Sequence, residues 1–252
     1  MNIVNYGGGT DSTAMLIECV KREIKIDLIL FADTGGEKPH TYKYLKLFSD
    51  WLIKHGYPEI ITVKKVRRTG EIQSLEEDCL ECNMLPSIAY GFKSCSQKFK
   101  IQPQDKYCNN WQPAKDEWKS GRKITKYIGY DADEPQRAKI YDSDKYEYRY
   151  PLIEWDMGRD ECIETIKQEL LPLPDKSACY FCPSSKIHEI RNLKTQYPEL
   201  AARAIEMEEN AELKSIKGLG RSFAWKDLLS TDDMFENEFV PEIEIPCGCY
   251  DG

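Results

Sequence analysis

Apolar positions fall in short runs separated by polar, helically spaced stretches over the first third of the chain. Residues 2–6 (Asn-Ile-Val-Asn-Tyr) read as a brief strand. Three glycines and Thr10 follow, and from Asp11 the apolar residues Ala14, Met15, Leu16, Ile17 and Val20 form a wide helical face. The span 27–32 (Asp-Leu-Ile-Leu-Phe-Ala) is a nearly unbroken apolar run, the pattern of a strand covered on both faces. Asp33-Thr-Gly-Gly36 interrupts it. Residues 37–55 then return to helical spacing with Tyr44, Leu45, Phe48, Trp51 and Leu52 inward, and 59–66 read as a third strand. This β-α-β-α-β order predicts an α/β fold, a doubly wound parallel sheet that binds ligands at the carboxyl ends of its strands.

Beyond residue 100 the pattern is less regular. Residues 103–119 read as one helix, 124–130 as a strand ending in Gly129-Tyr-Asp-Ala-Asp133, and 150–155 as an extended segment. A helix over 159–170 is closed by the breakers of Leu171-Pro-Leu-Pro174. Pro183 and Ser184 open another helix, and 198–213 form a further one. The breakers put a boundary near Pro172. An α/β domain over 1–171 is thereby expected to precede a mainly helical, cysteine-bearing segment over 172–252.

No apolar run is long enough to cross a bilayer, so no membrane partner is expected. The N-terminus lacks the basic start and long apolar stretch of a secretory leader, which makes the cytoplasm the expected compartment. The net charge of −8 is local. Seven of the 43 acids lie in residues 231–252, which contain no Lys or Arg, leaving 36 acids against 35 bases elsewhere. Bulk-charge coating of nucleic acid is thus excluded, while a local basic groove is not. Lys64, Lys65, Arg67 and Arg68, and Lys93, Lys98 and Lys100, are the groups for such a groove, against the ordinary reading of a solvated basic face. Trp111, Trp118 and Trp155 could stack a base, but their helical and strand spacing is that of core residues.

Ten cysteines in a reducing compartment point to a metal or redox centre rather than to disulfides. Cys179-Tyr-Phe-Cys182 and Cys79-Leu-Glu-Cys82 have the spacing that lets two thiolates reach one metal, and Cys247-Gly-Cys249 is tighter. Cys19, Cys108 and Cys162 lie in helical patterns and read as buried apolar residues.

The loop Gly7-Gly8-Gly9-Thr10-Asp11-Ser12-Thr13 lies between strand and helix. Its glycines allow a sharp turn and close backbone approach, and its amides point at an anion-favouring helix N-terminus. It has no lysine, so it is not a Walker A loop. The plain alternative is a tight turn into a helix capped by Asp11.

This loop resembles the Ser-Gly-Gly-x-Asp-Ser signature of the PP-loop ATP pyrophosphatase superfamily (a HUP-like fold), with Gly7 in place of the leading Ser. Asp33-Thr-Gly-Gly-Glu-Lys-Pro-His-Thr-Tyr42 is similar to an element of its phosphoadenosine phosphosulfate (PAPS) reductase-like family. So is Gly129-Tyr-Asp-Ala-Asp-Glu-Pro-Gln-Arg137, although Tyr130 stands where that family has an arginine. The resemblance implies an adenine-nucleotide site. Gly7, Gly8, Gly9, Thr10, Ser12 and Thr13 would cradle phosphates, and Asp11 would orient them or a Mg²⁺ ion. Asp33 would hold that metal or the ribose, Thr34 and Gly35 would complete the loop, and Phe31 or Ala32 would line the base. Arg137 would pair with a phosphate.

Ser94-Cys95-Ser-Gln-Lys-Phe-Lys100 resembles the Cys-Cys element of sulfonucleotide reductases that carry an iron–sulfur cluster, with Ser94 in place of the first cysteine. The resemblance implies metal ligands Cys95, Cys179 and Cys182, and a fourth from Cys82, Cys79, Cys247 or Cys249, with Cys82 taken as the choice. A [4Fe–4S] cluster, a zinc ion and an unmetallated thiol core are the alternatives. Pro246-Cys247-Gly248 echoes the tail that carries the family's nucleophilic cysteine, without the flanking Glu and His; an exposed tail is the plainer reading of it.

Three functions follow. The first is cleavage of ATP between its α- and β-phosphates to adenylate or thiolate an acceptor, a nucleic acid or sulfur carrier. The second is thiol-dependent reduction of PAPS or adenosine phosphosulfate. The third is non-catalytic nucleotide binding. The Gly-Gly-x-Asp-Ser loop favours the first.

Overall fold

The computed structural model describes residues 1–86, 88–89, 92–138 and 143–230. Strands β1 (Asn2–Tyr6), β2 (Leu28–Asp33) and β3 (Ile60–Lys64) alternate with helices α1 (Thr10–Lys21) and α2 (Pro39–Lys54). α3 (Leu75–Glu81) follows, then a short antiparallel hairpin of β4 (Ile88–Ala89) and β5 (Phe92–Lys93), α4 (Ser94–Ser96) and a π-helical turn over Gln97–Ile101. The chain continues through α5 (Gln102–Asn110), α6 (Gln112–Lys119), β6 (Ile124–Tyr127), β7 (Tyr146–Arg149), α7 (Pro151–Glu154) and α8 (Arg159–Gln168). α9 (Ile187–Gln196), α10 (Pro198–Asn210) and α11 (Trp225–Ser230) complete the described part.

The main sheet has five strands in the order β3-β2-β1-β6-β7, every pair parallel. β2 is buried along its whole length, as its unbroken apolar sequence requires. From β1 the chain winds outward through β2 to β3, then returns to place β6 on the other side. The crevice at the carboxyl ends of β1 and β6 is therefore the topological switch point, where open α/β sheets bind their ligands.

One face of the sheet carries a core of α1, α2 and α8 residues, including Leu16, Phe48, Cys162 and Ile166. The other face packs Ile3, Leu30 and Ile124 against Cys108 of α5 and Ala114 of α6. A third cluster joins Phe181, Ile190, Ala204, Leu219 and Trp225 to Leu75, Cys79, Leu85 and Phe99. The C-terminal helices thus pack on α3 and the π-helical turn. No described helix is long and apolar enough to cross a membrane.

Four local readings change. The helix expected over 103–119 is two, because Trp111 is extended (φ −77°, ψ 121°) ahead of Pro113, whose ring conflicts with a continuing helix. The segment expected to be extended over 150–155 contains α7, which Pro151 opens with its preset φ. β7 is an unforeseen edge strand that pairs with β6 from Ile124↔Tyr146 to Tyr127↔Arg149. α9 begins at Ile187 rather than at Pro183, because residues 179–185 make two successive turns and Glu189 then accepts the Lys186 amide at 2.8 Å.

Candidate functional site

β1 delivers Gly7–Gly9 to the switch point. Gly8 has φ +80°, and a Cβ there would stand 3.3 Å from Ser177 Oγ and 3.4 Å from the Phe31 ring. Phe31 is accordingly buried beneath the loop. The N-cap of α1 is Gly9, in extended backbone and with no side chain to cap it, so Asp11 is not the cap. The first amides of α1 have no intrahelical acceptors and form an anion-favouring end. The Ser12 and Thr13 hydroxyls instead donate back to Gly9 O, at 3.3 and 2.7 Å, and Thr13 Oγ1 lies 2.9 Å from Tyr6 Oη. They brace the turn from within. Gly129, just past β6, lies against this helix end: a Cβ on it would fall 2.9 Å from Ser12 Cα and 3.0 Å from Ser12 N.

Four charged residues converge here. Asp11 is 7% exposed, and its Oδ1 accepts from Arg159 Nη1 at 2.6 Å. Arg159 opens α8, its own amide donating to Asp133 Oδ2 at 2.8 Å. Arg137 lies with its guanidinium 4.2 Å from the centre of the Tyr130 ring, pairs with Glu134, and is close enough for its charge to act on Asp11. Asp131 is buried, and its Oδ1 has no hydrogen-bond partner among the described residues.

Burial pushes the Asp11 carboxyl up to about 6; Arg159 opposes the shift and Asp131 adds to it. Asp131 is raised as well, by burial and then by Glu134 and Asp133. The folded protein thus holds a proton on Asp11 that the unfolded chain releases near pH 4, so stability falls as pH rises from about 4 through 6. Asp11→Asn cannot ionise. Its stability relative to wild type should grow by about 2 kcal/mol between pH 4.5 and 7.5, read from urea unfolding midpoints. Equal pH dependence in the two proteins would show that Asp11 carries no such strain.

The loop after β2 is held by its own polar atoms. Asp33 Oδ1 accepts from Gly35 N at 2.7 Å and Tyr42 Oη at 2.8 Å, and its Oδ2 is 3.1 Å from Lys64 Nζ. Gly35 has φ +76°, with Ser74 Cβ 2.6 Å from where a Cβ would lie. Thr34 Oγ1 receives the Gly36 amide at 3.2 Å and sits 3.0 Å from Cys179 Sγ.

Cys95, Cys179 and Cys182 line one small cavity with Thr34, Lys100 and Phe181. Cys79 is buried, and its thiol is pushed up to about 12 by burial first, with Cys95 among the nearby charges. Cys82 is exposed and faces a neighbouring cleft of about 650 Å³, which shares Pro86 and Pro183 with that cavity and is walled further by Met84, Lys214 and Arg221. Among the described residues no three Cys, His, Asp or Glu side chains stand at metal-ligating spacing. Cys247 and Cys249 lie outside the described residues. Cys19, Cys108 and Cys162 are fully buried apolar residues, as their patterns predict.

Six of the seven basic residues considered for a groove are engaged with other groups. Lys65 and Lys98 pair with Asp78, Arg67 with Glu81 and Lys64 with Asp33; Lys100 Nζ is 3.9 Å from Glu37, and Lys93 donates to Ser184 at 3.3 Å. α3 supplies the Asp78 and Glu81 carboxylates.

Sequence reasoning missed Arg159, Asp131, Ser177 and Glu37. Asp131 lay within a motif already singled out. Arg159 meets Asp11 across 148 positions, and Ser177 Oγ donates to Gly7 O at 2.7 Å across 170; no local signal announces either.

No protein-family profile matches the chain. It is 27% identical over 210 residues to the uncharacterized nin region protein ORF290 of Escherichia phage lambda, covering 75% of this chain and 68% of that protein. Among solved structures it is similar to the U34-tRNA thiolase NcsA from Methanococcus maripaludis with its [4Fe–4S] cluster. The identity there is 15% and the TM-score 0.42, over 88% of this chain and 76% of that one. Likenesses at this level leave the chain's function to be argued from its own site.

Proposed function

We propose that this chain is an ATP pyrophosphatase of the PP-loop kind, which cleaves ATP between the α- and β-phosphates to activate an acceptor for sulfur transfer. The observation that carries the reading is the meeting of an uncapped helix N-terminus, Asp11, Arg159 and Arg137 at the switch point of the parallel sheet. Amides at the start of α1 would hold the phosphates, and the two guanidinium groups would take up charge on the leaving pyrophosphate. Asp11 and Asp131 would be the carboxylates to hold a Mg²⁺ ion, which would supply positive charge to the phosphates, and Asp11 would do so in its ionised form. Asp33 serves the loop that borders the nucleotide.

In the reaction an acceptor oxygen attacks the α-phosphorus, and the bond to the bridging oxygen breaks as pyrophosphate leaves. A sulfur nucleophile then attacks the activated carbon, and the carbon–oxygen bond breaks to release AMP. The acceptor is a nucleic acid or a sulfur carrier.

The donor set fits an iron–sulfur group or zinc in kind, since Cys95, Cys179 and Cys182 face one cavity while Cys82 faces another. Ligation would have to draw the three thiols together. A cluster held by three thiolates leaves one iron open to a sulfur ligand.

The test incubates the protein with ATP, Mg²⁺ and candidate acceptors, and in parallel with PAPS and dithiothreitol. AMP and pyrophosphate are expected from the first. Sulfite from the second, with no ATP binding, would replace this reading by the reductase. Iron, zinc and sulfide assays with an anaerobic visible spectrum identify the metal, and Cys179→Ser or Cys182→Ser should remove it. Full metal retention in both variants would defeat the ligand assignment.

A further inference from the structure

The segment 177–181 touches both loops that border the switch point. Ser177 is buried, its Oγ donating to Gly7 O at 2.7 Å and lying 3.5 Å from Glu37 Oε2. A Cβ on Gly8 would stand 3.3 Å from Ser177 Oγ, a tight contact that glycine avoids. Two residues on, Cys179 pairs with Glu37 in an isolated antiparallel bridge, and its Sγ lies 3.0 Å from Thr34 Oγ1. The Tyr180 amide then donates to Gly36 O at 2.8 Å, and the Phe181 ring fills the space where a Gly36 Cβ would lie. One short strip of chain is therefore fastened to the phosphate loop at one end and carries the cysteine pair at the other.

We propose that Ser177 is a positioning residue that couples the phosphate loop to Cys179 and Cys182, so that nucleotide bound at Gly7–Thr13 changes access to these thiols. The coupling rests on the nucleotide reading above. Its physical basis is short. Phosphate engaging the loop amides fixes the orientation of the Gly7 carbonyl, and Ser177 Oγ follows that carbonyl. A shift at Ser177 is passed through Ala178 to Cys179, because the bridge to Glu37 and the Tyr180–Gly36 bond leave the strip little freedom to absorb it. Coupling of this kind is reciprocal, so the state of the thiols also sets the affinity for nucleotide. Cys82, which does not line the cavity of Cys179 and Cys182, lies off this route.

The experiment measures iodoacetamide alkylation of each cysteine in the full chain by mass spectrometry, with and without saturating ATP and Mg²⁺. In the wild type ATP is expected to slow alkylation of Cys179 and Cys182 several-fold and to leave Cys82 unchanged. In Ser177→Ala that protection should vanish, and ATP affinity should fall by about two- to tenfold, the net worth of one hydrogen bond. Loss of this buried bond should also lower the thermal midpoint by a few degrees, but a merely structural role for Ser177 would leave the ATP-dependent protection of Cys179 and Cys182 in place. Thr34→Val removes the hydroxyl beside Cys179 from the opposite loop and should blunt the protection as well, so the claim survives a failure of Ser177→Ala to fold. A wild type that binds ATP with no change at Cys179 or Cys182 overturns the coupling alone, as does a folded Ser177→Ala with protection intact. A wild type that binds no ATP overturns the nucleotide reading and the coupling with it.

Discussion

Arg159→Ala is expected to lower ATP cleavage by about 10²–10³-fold, the usual cost of removing one preorganised charge partner from a developing anion. Arg159 is placed for that role at the first position of α8, where the bond from its amide to Asp133 fixes its backbone and the side chain reaches Asp11. It is half exposed, so its loss should leave the thermal midpoint within a few degrees of wild type. Without the guanidinium, the Asp11 carboxyl loses the larger of the two charges that oppose its upward shift, with Arg137 remaining. The pH at which activity turns on should therefore rise in the variant. Arg159→Lys keeps the charge but not the planar fork and should recover only part of the rate. Wild-type turnover and pH profile in Arg159→Ala would remove this residue from the site.

Gly129→Ala should weaken nucleotide binding by about 100-fold or more, with a stability loss of about 1–3 kcal/mol from overpacking. The added methyl would press on backbone atoms of Ser12, which cannot swing aside as a long side chain does. The first turn of α1 must then shift, and with it the amides that would face phosphate. Gly56→Ala and Gly121→Ala are the controls. Both glycines have positive φ but nothing within 4 Å of a new Cβ, so each should cost about 1 kcal/mol without changing affinity. Calorimetric titration with ATP and Mg²⁺ separates the cases, and unchanged affinity in Gly129→Ala would detach the β6 loop from the nucleotide site.

The two experiments probe parts that differ in legibility. The turn at Gly7–Gly9 and the helix after it were readable because glycine tolerance and apolar periodicity act over a few residues. The same holds for β2, whose apolar run is buried on both faces. Errors gathered where a proline carries opposite meanings: Pro113 splits a helix, while Pro151 starts one. β7 escaped notice because Tyr146-Glu-Tyr-Arg149 is mostly polar and half-exposed at the sheet edge, with little hydrophobic signal.

By itself the sequence determined the α/β alternation, the glycine turn ahead of α1 and the burial of Cys19, Cys108 and Cys162, all of which follow from patterns local in the chain. Only the tertiary structure decided that Arg159 meets Asp11, that Ser177 holds the Gly7 carbonyl, and that Cys95 shares a cavity with Cys179 and Cys182 while Cys82 does not. It also decided that Lys65 and Arg67 pair with Asp78 and Glu81 of α3. The reason is distance along the chain. These contacts join residues up to 170 positions apart, and the packing of the sheet and helices, not any local preference, selects which polar groups meet.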